Sequence, residues 1–381
     1  MCRARIPNTP KAIATSKHFA VHSGPESLRH VFNVDVSPRN LEETYLPAFR
    51  STVVDGHVKS VMCAYNAINN DAACASKLLL GDHLRGAWSF NGFVVSDCAA
   101  IVDVARGHHN APDILHAAAL SLRTGTDLSS SIWSPGFNTL ADAVRQGAAT
   151  EDLVTRSAER LYTARFQLGL FNPQGSGAFD KIPFSENASE PHRQIALKAA
   201  EESIVLLKNS GVLPLRNKPA SIAVIGLTAD LLTAIEGNYN GAALHSVSPL
   251  DGIARKFPGT AIHYAQGSTL DATFYASTSD LPPFTEYAMK NRTYRYYTGK
   301  PMWGFGYGLS YSDFRYGPAR LSHNSVAAGQ PVTATVAVTN TSKLPGDEVV
   351  EAYLKTRSRT VPPTALSAFN ECTSKPGKHG T

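Results

Sequence analysis

The chain has 381 residues, 43% hydrophobic and 18% charged, the balance of a soluble globular protein with room for two or three domains. Its formal charge of +5 is spread along the sequence rather than gathered in a block, which argues against nucleic acid as a partner. No apolar run approaches membrane-spanning length, and Met1-Cys2-Arg3-Ala4-Arg5 lacks the apolar stretch of a signal peptide, so no membrane partner is expected and the compartment stays open.

In chain order, Ala12 to Thr15 is a short apolar run ending in Lys17-His18. Ser37 then reads as a helix N-cap with Pro38 in the first turn. Leu41, Tyr45, Phe49 and Val53 follow at four-residue spacing, and Gly56 stops the helix. Ser60 to Ala64 is a second strand, ending in the polar tip Tyr65-Asn66. A helix through Leu78 to Trp88 leads to Gly92-Phe93-Val94-Val95-Ser96-Asp97-Cys98, a buried-strand pattern that ends abruptly before a helix start at Ala99 to Val104. Ala117 to Leu122, with Gly125-Thr126-Asp127, predicts a further helix and strand end. The repeat of apolar strand, polar tip and amphipathic helix predicts parallel β/α architecture. Within it Asp97 has two readings. It is a carboxylate at the C-terminal tip of a parallel strand, where α/β barrels hold catalytic groups, or it is the cap of the next helix.

Ala141 to Leu170 reads as helices ending near Gly169, and 172–188 is a linker rich in Pro, Gly and Ser. A new unit opens with a helix from Gln194 to Leu207, a strand of the fully buried type at Ser221 to Gly226, and a second strand at Ala261 to Ala265. Beyond Gly267 the periodicity fades, and Leu281-Pro282-Pro283 and Tyr294 to Tyr297 read as loops. Trp303 to Tyr311 is a glycine-aromatic run suited to tight turns over packed rings, without the strand–turn–helix setting of a nucleotide loop. Val332 to Val338 alternates as a strand with Val349 to Leu354 as its expected partner, which hints at a small β-sandwich.

The five cysteines show no CxxC pair and no zinc spacing; Cys63, Cys74 and Cys98 admit one disulfide or three buried thiols. His108-His109 invites a metal reading, but adjacent histidines cannot both face one ion on a helix, so a loop is expected.

Five ordered stretches resemble glycoside hydrolase family 3 on its β-xylosidase side. They are Lys17-His18-Phe19-Ala20, Met62-Cys63-Ala64-Tyr65-Asn66-Ala67-Ile68-Asn69, Gly92 to Cys98, Glu201 to Asn209, and Phe305-Gly306-Tyr307-Gly308-Leu309-Ser310-Tyr311. Cys98, where glucosidase-like members commonly carry tryptophan, points to the xylosidase branch. The resemblance implies that Asp97 is the nucleophile of a retaining exo-β-xylosidase, that Lys17 and His18 grip sugar hydroxyls, and that Tyr65 lies against the nucleophile. Glu26 and Arg29 read equally as further sugar ligands and as a solvated ion pair. A xylo-oligosaccharide or aryl β-xyloside is the implied substrate, with no cofactor and no metal.

The implied fold is α/β in three parts with a linker. Residues 1–171 would be the C-terminal half of a (β/α)8 TIM barrel, 172–193 the linker, 194–311 an incomplete α/β sandwich, and 312–381 a partial fibronectin type III-like β-sandwich. Against the family pattern, about four of eight β/α units are expected, and the loop carrying the general acid/base glutamate is expected to be missing between Gly267 and Leu281. Glu286 matches a different, downstream position and is not assigned that role. A half-barrel exposes strand edges and apolar faces, so self-association is expected. The competing expectation is a catalytically inactive copy that at most binds sugars. Relatives acting on cell-wall polymers are usually exported; Asn187, Asn291 and Asn340 lie in N-x-[ST] sequons, which matter only on a eukaryotic secretory route.

Overall fold

Three parallel strands organise the first part of the chain: β1 (Thr15–Phe19), β2 (Ser60–Cys63) and β3 (Phe93–Ser96), in the spatial order β1-β2-β3. A computed structural model describes residues 10–131, 134–177, 179–236, 243–266, 282–283, 286–287, 289–327, 330–355, 364–374 and 379–380. β2 and β3 pair in unbroken register from Ser60↔Phe93 to Cys63↔Ser96, whereas the β1–β2 ladder is irregular between Ser16 and Phe19. Leu128 bridges Val95 in parallel and continues the sheet beyond β3. Each crossover is helical, as parallel pairing requires. A helical segment over 38–55, alternating α and π turns, joins β1 to β2, and the π-helical segment Lys77–Ala87 joins β2 to β3. Beyond β3, α1 (Ala100–Arg106) and α2 (Ile114–Thr124) lead back to Leu128.

Local chemistry explains these boundaries. Ser37 accepts from the Asn40 N–H at 3.2 Å ahead of Pro38, as expected, and Ser76 accepts from the Leu79 N–H at 3.3 Å. Asp113 starts α2 in the same way, at 2.8 Å from the His116 N–H. Two further helices, α3 (Leu140–Arg145) and α4 (Glu151–Gln167), follow Leu128. The core buries Phe19, Val61, Leu79, Leu80, Leu84 and Val94 at 0% exposure, each worth about 1.5–3 kcal/mol of burial. Cys63 and Cys74 form a disulfide across 11 residues, which resolves the open cysteine question, and Cys98 is a free, exposed thiol. Closing a loop of this size stabilises by about 3 kcal/mol on the chain-entropy account.

A buried ionic knot stands at the last strand segment. The Asp127 side chain, fully buried, accepts from Arg85 Nη2 at 2.6 Å, Arg160 Nη2 at 2.8 Å, the Val94 N–H at 2.8 Å and Ser157 Oγ at 3.0 Å. It ties α4 and the segment Lys77–Ala87 to β3. In the sequence Asp127 reads only as a strand end.

The chain divides into two compact units, Met1–Pro183 with Pro282–Lys290, and Phe184–Leu281 with Asn291–Thr381. The division between Pro183 and Phe184 lies inside the stretch 172–193 read from the sequence as a linker, and the short segment 282–290 packs with the first unit rather than the second. Its Tyr287, 7% exposed, inserts into the first unit's core beside Phe32 and Tyr45. The expected join between Gly267 and Leu281 lies outside the described residues.

In the second unit, α5 (Glu190–Ser203) begins four residues before the expected helix, with Pro191 in its first turn, and ends four residues before it, where Leu206 leaves the helical path to bridge Leu309 in antiparallel fashion. β4 (Ser221–Ile225) and β5 (Ala261–Ala265) pair in parallel around α6 (Pro249–Lys256). β4 corrects the expectation of a fully buried strand: Val224 alone is buried and Ile225 is 68% exposed. Among the described residues only these two strands form the sheet.

The later strands are antiparallel. β6 (Phe314–Tyr316) pairs with β7 (Val338–Asn340), and β8 (Gly346–Lys355) pairs with β9 (Thr364–Ser374). The expected partnership of 332–338 with 349–354 is therefore not formed; Ala334–Thr335 pairs with Arg320–Leu321 instead. Of the three sequons, Asn340 is fully buried and bonded to the Leu344 carbonyl at 2.8 Å, which removes it as an acceptor in the folded chain. Among the described residues no helix is long and apolar enough to cross a membrane.

Candidate active site

Asp97 stands one residue past the C-terminal end of β3, 7% exposed. Its backbone N–H donates to the Cys63 carbonyl at 3.1 Å, which extends the β2–β3 ladder and fixes the residue at the sheet tip. Its Oδ1 accepts the Cys98 N–H at 2.8 Å. The helix-cap reading fails here. α1 starts at Ala100 behind Ala99, whose φ is 65°, and no side chain caps it. The carboxylate is turned toward neighbouring strand tips instead.

Two of those tips deliver the groups the sequence singled out. β1 brings His18, whose Nε2 lies 3.3 Å from Asp97 Oδ2. The turn after β2 brings Tyr65, whose phenol is hydrogen-bonded to Asp97. Burial and the Asp97 charge push that phenol far above its ordinary range, so it remains a donor. Burial pushes His18 below the usual histidine value; Asp97 opposes this, while Lys17, His22 and Arg29 add to it. The peptide bonds Lys17–His18 and Phe19–Ala20 are cis.

The remaining expected residues surround this pair. Arg29 lies 5.6 Å over the Tyr65 ring and is paired with Glu26, which is exposed. That contact holds the Arg29 pKa up and the Glu26 pKa down. Lys17 is exposed, and its charge reaches His18. The ion pair and the place beside Tyr65 coexist, so the two sequence readings of Glu26 and Arg29 do not exclude each other. A small cavity of about 20 Å³, room for one water, opens among His22, Pro25, Glu26, Arg29, Phe32 and Asn66. Two larger cavities of this unit, about 360 Å³ among Ile13, Thr15, Phe93, Leu128 and Tyr162 and about 790 Å³ among Leu168, Asn172, Gln174 and Phe179, include none of the Asp97 cluster in their linings.

Sequence reasoning missed a supporting set. His30 meets the Tyr65 ring edge-on at 4.6 Å, and its Nδ1 is 2.7 Å from Asp103 Oδ2. His108, set aside as a loop histidine, does lie in a turn after α1 but points inward; its Nε2 donates to the Tyr65 carbonyl at 2.7 Å. Burial holds the His108 pKa down and the Asp103 pKa up. His22 pairs with Asn66 Oδ1 at 3.2 Å, and Asn66 donates to the Ala20 carbonyl at 3.3 Å. A signal for Asp103 was present: one carboxyl among Ile101, Val102, Val104 and Ala105 on a short helix needs a buried partner. Glu286 is exposed and its N–H bonds to the Pro283 carbonyl at 3.0 Å. Among the described residues no group of three or more His, Cys, Asp or Glu is arranged to hold a metal ion.

The arrangement can hold a carboxylate beside a neutral imidazole and a phenol donor. That is suited to attack at an electrophilic carbon carrying hydroxyl neighbours. Residues 7–164 match the profile of the Glycosyl hydrolase family 3 N terminal domain, and residues 204–269 match that of the Glycosyl hydrolase family 3 C-terminal domain. A xylan 1,4-beta-xylosidase of Xylanibacter ruminicola is 40% identical over 248 residues, covering 65% of this chain and 29% of the relative. A probable exo-1,4-beta-xylosidase of Aspergillus terreus is 35% identical over 272 residues, covering 70% of this chain and 35% of the relative. The chain thus spans about a third of the length of the curated relatives it matches.

Among solved structures, a GH3 exo-beta-xylosidase (XlnD) in complex with a xylobiose aziridine activity-based probe superposes with a TM-score of 0.86 at 23% identity, over 98% of this chain and 67% of that one. A beta-glucosidase from Listeria innocua in complex with glucose gives 0.80 at 21%, over 97% and 67%. At such identities the likeness concerns the fold, which for the first unit is that of a TIM-barrel-like α/β domain.

Proposed function

Because this chain belongs to glycoside hydrolase family 3, we propose that it acts on β-linked xylose by the retaining route, with Asp97 as nucleophile. One observation carries the reading: Asp97 is a nearly buried carboxylate at a parallel strand tip, held by the Cys98 N–H and Tyr65 and flanked by His18. In the first step the Asp97 oxygen bonds to the anomeric carbon and the bond to the leaving oxygen breaks. Water then attacks the glycosyl–aspartyl ester and frees the sugar. Tyr65 and His18 orient the carboxylate and the sugar hydroxyls, Arg29 steadies the Tyr65 ring, and Lys17 and Glu26 extend the polar rim.

The names of the xylosidase relatives support xylo-oligosaccharides as the substrate class. The antiparallel pairs beyond Phe314 support reading that region as a partial fibronectin type III-like sandwich. General acid assistance is worth about 10²–10⁴-fold, so an aryl β-xyloside with a good leaving group is the substrate of choice for a chain whose acid residue is unassigned.

The test is hydrolysis of such an aryl xyloside by the parent chain and by Asp97→Asn, across pH. Release by the parent is expected to vanish in the variant, because the neutral amide cannot form the ester. Its acid limb is expected below the ordinary histidine value of about 6.5, since burial lowers His18. Equal release by the two proteins would end the nucleophile assignment.

A further inference from the structure

The second unit carries an open cleft of about 350 Å³ that the reading above does not use. Its walls are aromatic. Tyr294 and Phe305 stack at 4.3 Å with planes 23° apart, and Tyr353 stands edge-on to Tyr294 at 6.1 Å. Phe305 is 51% exposed, so much of its surface faces solvent rather than packing. Tyr297, Gly299, Pro301 and Gly304 complete the lining.

One carboxylate enters this aromatic setting. Tyr353 donates its phenol proton to Glu351 Oε2 at 2.6 Å, and that bond pushes the phenol up to about 12. Gly306 has a φ of 77°, and a Cβ there would collide with the Glu351 carboxylate. Glycine at 306 therefore both makes the turn and admits the acid. Tyr353 occupies one acceptor position of the carboxylate, which has about four lone-pair sites.

Aromatic faces beside an acceptor carboxylate suit two chemistries, a cation or a polyhydroxylated ring. Ring geometry separates them. Tyr294 and Phe305 stack on each other and Tyr353 stands edge-on to Tyr294, so the rings present a flat wall and do not close a cage around a point charge. A pyranose is neutral: its C–H face carries the weak positive charge that aromatic faces attract, and its hydroxyls donate to a carboxylate. A mostly apolar cleft with a few fixed polar groups is the ordinary form of a small-ligand site.

We propose that this cleft is a second carbohydrate-binding site, taking one sugar ring of a β-linked pentose chain between Phe305, Tyr353 and Glu351. The choice of a pentose rests on the xylosidase reading; the cleft itself does not. Phe305 supplies the stacking face, Glu351 accepts ring hydroxyls, and Tyr353 orients Glu351. A xylan chain held here would stay near the protein between cleavage events.

The test is calorimetric titration of the full chain with xylotriose after its Asp97 has been blocked by a covalent xylose-based inhibitor, in the parent and in Phe305→Ala and Glu351→Gln. The blocked parent is expected to retain one binding site, weakened about tenfold or more by either substitution, while labelling at Asp97 and the thermal melt are unchanged. No binding by the blocked parent overturns the proposal, as does equal binding in both variants. Displacement by tetramethylammonium would make the cleft a cation site and overturn it too. Failure of the catalytic reading is separate: Asp97 would not label, while unblocked chain still loses a xylotriose site on Phe305→Ala.

Discussion

β3 of the first unit and β4 of the second are similar texts, Phe-Val-Val-Ser and Ser-Ile-Ala-Val-Ile, with opposite outcomes. β3 has neighbours on both sides and buries Val94, Val95 and Ser96. Among the described residues β4 has one sheet neighbour, and it leaves Ile225 68% exposed. An apolar strand states a demand for cover; whether the demand is met depends on what else the chain brings. The first unit meets it with helices on its crossovers, a disulfide and the Asp127 knot. α5 of the second unit buries no residue.

The sharpest way to break this contrast is at Asp127. Asp127→Ala leaves Arg85, Arg160 and the Val94 N–H without their shared acceptor, and we expect a loss of about 3–5 kcal/mol. Urea unfolding followed by hydrogen exchange of the β2 and β3 amides would read it. A loss below 1 kcal/mol, against the range just given, would mean that the knot does not hold the first unit together.

A paired substitution sharpens the comparison further. Leu84→Ala, at a side chain with 0% exposure, is expected to cost about 2–5 kcal/mol. Ile225→Ala, at 68% exposure, is expected to stay within about 0.5 kcal/mol. If Ile225→Ala costs as much as Leu84→Ala, β4 is covered in solution and the contrast disappears.

What was legible in the sequence follows the same line. The strands at 60 and 93, the helix from Ser37 to Gly56 and the tip carboxylate at 97 were readable because period, cap and breaker agreed locally. Cover was not readable, since it depends on distant segments; hence the misjudged β4 and the wrong partner for 332–338. Family motifs marked His18, Tyr65 and Asp97, and the strand tips bring them together. His30 and His108 escaped because each meets Tyr65 across the fold and no local pattern ties residues 30, 65 and 108; Asp103 left a local sign, a lone carboxyl among apolar residues, but nothing nearby named His30 as its partner.

The proposed function rests on the tip of β3 presenting a competent nucleophile. Its most direct test is intact-mass spectrometry after incubation with a 2-fluoro-xyloside bearing a good leaving group, followed by peptide mapping, with Asp97→Ala alongside. The account predicts one added glycosyl mass on the parent, located on the peptide containing Asp97, and none on the variant. No adduct on a parent chain shown by circular dichroism to be folded, or an adduct mapped elsewhere, would contradict it.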